Sequence, residues 1–184
     1  EGARPLPDPP EVVRLARRRA APVHGAARVL IRPVRARRGR QMSYRYLEHV
    51  GDAAIEGSGP TIEEAFSGAA EAMLGIMVRG PVEGGAGRRA ALEAEAESAG
   101  DLLVAFLNEV LSRQGLLGVL FFRCEVKEIR RTGEGRFVLK AEAEGLPPGA
   151  LAGRLGAEVK AATYTGLKVG RRGGRFFARC VLDL

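Results

Sequence analysis

From Met42 onward the hydrophobic positions follow two periods, and each change of period marks an element. Residues 44–50 and 53–57 have strand spacing and join near Gly51. Thr61 followed by Glu64 is a helix-start pattern, because the hydroxyl can accept a free first-turn N–H. Phe66, Ala70, Met73, Leu74 and Met77 then form a helical apolar stripe that ends near Gly80-Pro81, with both methionines read as core. The loop GPVEGGAG lacks the lysine and hydroxyl of a phosphate loop and reads as a linker. Residues 88–97 alternate Leu92, Ala94 and Ala96 with Glu93, Glu95 and Glu97, which predicts a strand with an acidic outer face.

Ser98 and Asp101 repeat the helix-start pattern. The stripe that follows (Leu103, Phe106, Leu107, Val110, Leu111) is the most apolar in the chain and is expected to be central. Strands are predicted over 119–130 and 136–144 around the turn Thr132-Gly133-Glu134-Gly135. LPPGALAGRLG reads as a loop. Residues 157–170 are strand-like with a bend at Thr165-Gly166, RRGG (171–174) is a hairpin turn, and 175–183 is the last strand. Hairpins with two separated helices predict a single-domain α+β fold, with mixed or antiparallel β-sheets packed against two main α-helices.

The overall charge of +7 first points to a nucleic-acid binder, but its location changes that picture. Residues 1–41 hold 11 of the 29 basic residues, all arginine, against Glu1, Asp8 and Glu11, a net of +8. The rest of the chain has 18 basic and 19 acidic residues, a net of −1. The segment 1–41 also carries six of the ten prolines and no aromatic residue, so disorder is expected. An RNA-binding arm, a targeting segment and an upstream extension before a natural start at Met42 are the three readings; the last is favoured. No apolar run is long enough for a bilayer, so a soluble, non-membrane protein is expected. Cys124 and Cys180 are far apart in apolar strand-like runs and read as buried, reduced residues of a cytoplasmic protein.

The chain lacks a nucleophile elbow, paired C-x-x-C, H-E-x-x-H and a dinucleotide fingerprint. Outside the 1–41 segment, His49 is the only histidine, and no nucleophile stands beside it. Carboxylates remain. Asp52 follows a glycine at a bend, and Asp183 ends an otherwise apolar strand beside Leu184, whose terminal oxygens add to the set. If the last strand pairs near the 44–57 region, these groups could converge, and like charges so placed repel unless they are protonated or bridged by a hard cation. Isolated solvated acids are the bland alternative. EVKAATYTGLKV (158–169) carries Lys160, Thr163 and Tyr164 in a run that pattern alone reads as an edge strand.

LEHVGDAAIEG, TIEEAFSGAAEAMLGIM, GDLLVAFLNEVL, EVKAATYTGLKV and CVLDL, in that order from Met42 to Leu184, resemble the archease family. Two positions depart from its pattern: Val50-Gly51 replaces the usual Thr-Ala, and Thr165 stands where histidine is common. The resemblance implies an activator, not itself an enzyme, of the RtcB-type RNA ligase in tRNA splicing or RNA repair. Such a protein promotes guanylylation of the ligase histidine and sustains multiple turnover. The partner is then the ligase, with RNA met only indirectly through it. Carried onto this sequence, the implied metal ligands are Asp52, Asp183 and Leu184, holding a divalent cation (Ca²⁺, or Mn²⁺/Mg²⁺). His49, Glu48, Lys160, Thr163 and Tyr164 are then groups that steady the carboxylates or face the partner. The competing readings are a stand-alone metal-dependent phosphoesterase and an RNA-binding adaptor acting through the basic segment.

Overall fold

The computed structural model describes residues 42–48, 52–82 and 87–184, with the backbone alone described at Glu48. The expectations for residues 1–41 and for His49 lie outside the described residues. The elements run β1 (Ser43–Glu48), β2 (Ala53–Gly59), α1 (Ile62–Met77), β3 (Arg88–Ala96), α2 (Ala99–Leu117), β4 (Leu120–Arg131), β5 (Phe137–Leu146), β6 (Ala161–Arg172) and β7 (Arg175–Asp183). They build a four-stranded sheet of order β1-β2-β7-β6 and a three-stranded sheet of order β3-β5-β4. Every strand pair is antiparallel, so of the two sheet types expected only one is used.

Both predicted helix starts are made as read. Thr61 Oγ1 accepts the Glu64 N–H at 3.2 Å, and Ser98 Oγ accepts the Asp101 N–H at 3.1 Å. Gly118 closes α2 at φ 63°, a left-handed cap that glycine adopts without cost. The strand expected from residue 157 starts only at Ala161. The stretch before it is tied elsewhere: the Gly156 and Ala157 N–H groups donate to Met77 and Ile76 carbonyls at the end of α1.

Both helices join the two sheets. α1 packs on β2 and β7 and runs beside β4, while α2 packs on β3, β5 and β6. Phe66 and Phe106 stack between them with ring centroids 6.4 Å apart, both wholly buried. The more deeply buried helix is α1, contrary to the ranking by apolar stripe: eleven of its 16 residues are buried against seven of 19 in α2. Ala65, Gly68, Ala69 and Ala72 are the reason, since small residues contribute little to an apolar stripe but let a strand approach closely.

The free edge of β4 is sealed by side chains. Register shifts at Phe121/Arg123 and Val126/Glu128 set its outward N–H groups at Phe121, Cys124, Val126 and Ile129. They donate in turn to Gln114 Oε1 (2.7 Å), Glu71 Oε1 (3.4 Å), Ser67 Oγ (2.9 Å) and Glu63 Oε1 (3.3 Å). Glu63, Ser67 and Glu71 recur every four residues, about 6 Å of helix rise, close to the ~6.6 Å of two strand residues. The acceptors therefore keep step with the strand and blunt an edge otherwise open to pairing. Gln114 is buried, so Gln114→Leu leaves the Phe121 N–H without its acceptor. It is expected to lower stability by about 1–3 kcal/mol in urea unfolding; an unchanged midpoint would contradict this account of the edge.

Cys124 and Cys180 are both free and buried. Burial pushes the Cys180 thiol up to about 12, and it also raises Cys124, with Glu71 and Glu125 adding to the effect. Neither is poised as a nucleophile. No helix among the described residues is long and apolar enough to cross a membrane.

Candidate metal centre at one end of the four-stranded sheet

Three strand ends meet at one edge of the four-stranded sheet, where β2 begins, β7 ends and β6 begins. Ala53 pairs with Leu182, and Asp183 pairs with Ala161. The β2–β7 register ends at Ala53 with Leu182, and Asp52 and Asp183 are the next residue on either side of that last pair. Two sequence-distant aspartates therefore lie at the same end of the sheet, each adjoining the last paired row. Asp52 is half-buried and Asp183 is exposed.

The chain around this row is held from two sides. The Asn108 side chain on α2 donates to the Ala162 carbonyl at 3.0 Å and accepts the Ala162 N–H at 2.9 Å, as a neighbouring strand would. That fixes the start of β6. The Lys160 N–H then donates to the Asp183 carbonyl at 2.9 Å, and Lys160 Nζ donates to the Leu184 main-chain oxygen at 2.8 Å. The Leu184 side chain packs against the core margin. The residues after Leu182 are thereby placed by β6.

Thr163 and Tyr164 take different parts. The Thr163 hydroxyl donates to the Val181 carbonyl at 2.9 Å and accepts the Thr165 N–H at 3.2 Å. It closes a bulge over which the β6–β7 register jumps from Thr163 to Lys168, with Gly166 at φ +62°. This is the bend expected at Thr165-Gly166. Tyr164 rides on the bulge with 64 % of its surface exposed. The Glu48 backbone pairs with Ala53, one row inward from Asp52. His49 lies outside the described residues.

Among the described residues no group of three His, Cys, Asp or Glu side chains gathers into a metal cluster. The donors at this end are two carboxylates and the Leu184 main-chain oxygen, all hard ligands of the kind Ca²⁺, Mg²⁺ and Mn²⁺ prefer. The set suits such a cation but is short of a full shell. Lys160 already contacts one of its members. Sequence reasoning missed Asn108, whose signal was an amide beside the apolar stripe of α2.

The sequence profile of the archease protein family matches residues 44–184. The chain belongs to the archease family. A protein archease of Methanosarcina mazei is 34% identical over 143 residues, which cover 77% of this chain and 95% of the relative. The archease of Pyrococcus abyssi is 35% identical over 143 residues, covering 77% and 98%. A Drosophila melanogaster protein archease-like is 30% identical over 132 residues, covering 70% and 81%. The solution structure of Methanobacterium thermoautotrophicum protein 1598 matches with a TM-score of 0.63 at 25% identity, over 77% of this chain and 98% of that one. The archease match leaves the Arg/Pro-rich segment outside it.

Proposed function

We propose that this chain activates an RtcB-type RNA ligase, promoting guanylylation of the ligase histidine and multiple turnover in tRNA splicing or RNA repair. In this reading it is a cytoplasmic protein cofactor and carries out no reaction of its own. Asp52, Asp183 and the Leu184 main-chain oxygen would hold a divalent cation, Ca²⁺ or Mn²⁺/Mg²⁺. The observation that carries the reading is that Asp52 and Asp183 both adjoin the last β2–β7 pair, Ala53 with Leu182, supported by family membership.

The cation would supply positive charge next to a triphosphate or its metal, where charge develops during nucleotidyl transfer. The chain's own residues do the positioning. Lys160 and Thr163 fix the backbone that carries Asp183 and Leu184. Exposed Tyr164 stands beside that end as a rigid aromatic contact for a partner. A ligase cleft that binds GTP and RNA phosphates is electropositive, so an acidic strand end is drawn to it.

The test is ligation of a 2′,3′-cyclic-phosphate RNA by the cognate ligase under multiple-turnover conditions, with and without this protein. Sustained turnover only in its presence is expected. Equal turnover in its absence would exclude the activator role. Hydrolysis of phosphoesters by this protein alone would favour the phosphoesterase reading instead.

A further inference from the structure

The two sheets turn contrasting outer faces to solvent. On the outer face of the three-stranded sheet cations and acids are interspersed: Arg123 pairs with Glu144, Lys127 with Glu125 and Glu142, Arg136 (just before β5) with Glu95, and Lys140 with Glu93, at 2.9–3.8 Å, while Arg89 and Arg130 share cross-strand rows with Glu144 and Glu95. That face is electrically balanced.

The four-stranded sheet is not. Its register runs Arg45, Glu56, Arg179, Lys168 in one row across β1, β2, β7 and β6. Towards the β6–β7 hairpin the same face adds Arg172 opposite Arg175. Among the described strand positions of this face, Glu56 is the one carboxylate short of the aspartate end, giving five cations to one acid. Glu56 is 5% exposed, 2.5 Å from Arg45 and 3.6 Å from Arg172, so it is buried under the cations. Lys168 is exposed and Arg179 partly so. The Arg172 guanidinium lies 4.6 Å from the centroid of the Phe177 ring, with its side chain 60% exposed.

Residues 42–184 are almost neutral, so this excess is a segregation of charge onto one face rather than general basicity. A partner must offer repeated negative charge along an extended path. It gains further if it carries flat groups, because a guanidinium stacked on a ring presents a second flat surface. An RNA single strand has both properties, while an acidic protein surface supplies only the first. We propose that the outer face of the four-stranded sheet binds single-stranded RNA, with Lys168 and Arg179 on phosphates and Arg172 stacked under a base. The RNA is then held directly, in place of the indirect contact through a ligase expected from the sequence. The proposal does not depend on the metal reading.

The test measures binding of a fluorescein-labelled oligouridylate to the full-length chain by anisotropy across a salt series. The arginines of residues 1–41 contribute a background in every variant. Losing two phosphate contacts in Lys168→Glu/Arg179→Glu is expected to flatten the log–log salt slope by about 1.4, at roughly 0.7 per single-strand contact, and to weaken low-salt binding roughly tenfold. Arg123→Glu/Lys140→Glu on the balanced sheet should leave both unchanged. Ultraviolet crosslinks are expected in the peptide holding Phe177, and to fall in Arg172→Gln at unchanged melting temperature. An unaltered slope in Lys168→Gln/Arg179→Gln as well as in the reversal variant would overturn the proposal. So would an equal loss in the control variant. A face variant that loses ligase association while keeping RNA affinity would also overturn it and assign the face to an acidic protein.

Discussion

Asp52→Ala and Asp183→Ala are each expected to abolish calorimetric binding of a divalent cation and to cut multiple-turnover ligation by at least roughly 10–100-fold, the loss typical even of groups that only support a metal ligand. The two changes should behave alike, because both residues adjoin the last β2–β7 pair although they stand far apart in the sequence. Asp183 is exposed and sits at the last strand position, so its removal should cost within about 0.5 kcal/mol of stability. A loss of activation at unchanged melting temperature is thus a loss of the site. Full multiple turnover in both correctly folded variants would sink the metal reading. If cation binding disappears while turnover persists, the metal is structural and the activating contact lies elsewhere, with exposed Tyr164 the next candidate.

The approach of the last strand to the one after Asp52 was legible only as a conditional, because no local pattern says which strand the last one joins. The helix starts at Thr61 and Ser98 were fully legible, since a cap is decided within four residues. The sheet order was not: β7 inserts between β2 and β6, so the chain's end becomes a central strand. That placement depends on burying Cys180 and Leu182 against the helices, a tertiary effect. The acceptors along β4 were likewise hidden. Glu63 and Glu71 read as the polar side of an amphipathic helix, and nothing local distinguishes a solvated glutamate from one that accepts a strand N–H. The basic face was masked by arithmetic: a net of −1 for residues 42–184 conceals cations gathered on one sheet. Its signal was present as Arg175-x-Phe177-x-Arg179, an alternation that puts all three on one face of a strand.

Gly57→Ala is expected to be strongly destabilising. Gly57 was read as the end of its strand, yet β2 continues through it to Gly59. The reason for glycine there is the helix above it. A Cβ at Gly57 would lie well inside contact distance of the Ala65 carbonyl oxygen and the Ala69 nitrogen, and 2.6 Å from the Gly68 carbonyl carbon. A Cβ at Gly68 would in turn stand 3.2 Å from Gly57 Cα and 2.9 Å from the Ser43 carbonyl oxygen. The obstructing atoms are main chain on both sides, so no rotamer change relieves them. Overpacking usually costs about 1–3 kcal/mol, and here the helix must move as a body, so the top of that range or more is expected. At about 2–4 °C per kcal/mol for a chain of this size, the melting temperature should fall by roughly 6–12 °C. Gly133→Ala is the control: nothing lies within 4 Å of its added carbon, and it should stay near the parent. The consequence reaches function, because β2 begins beside Asp52 and α1 holds β2 in place. Ligase activation by Gly57→Ala should therefore be lost on warming before it is lost in the parent protein. A melting temperature within a degree of the parent would show that α1 can yield at this contact, and that the glycine pair does not fix the strand.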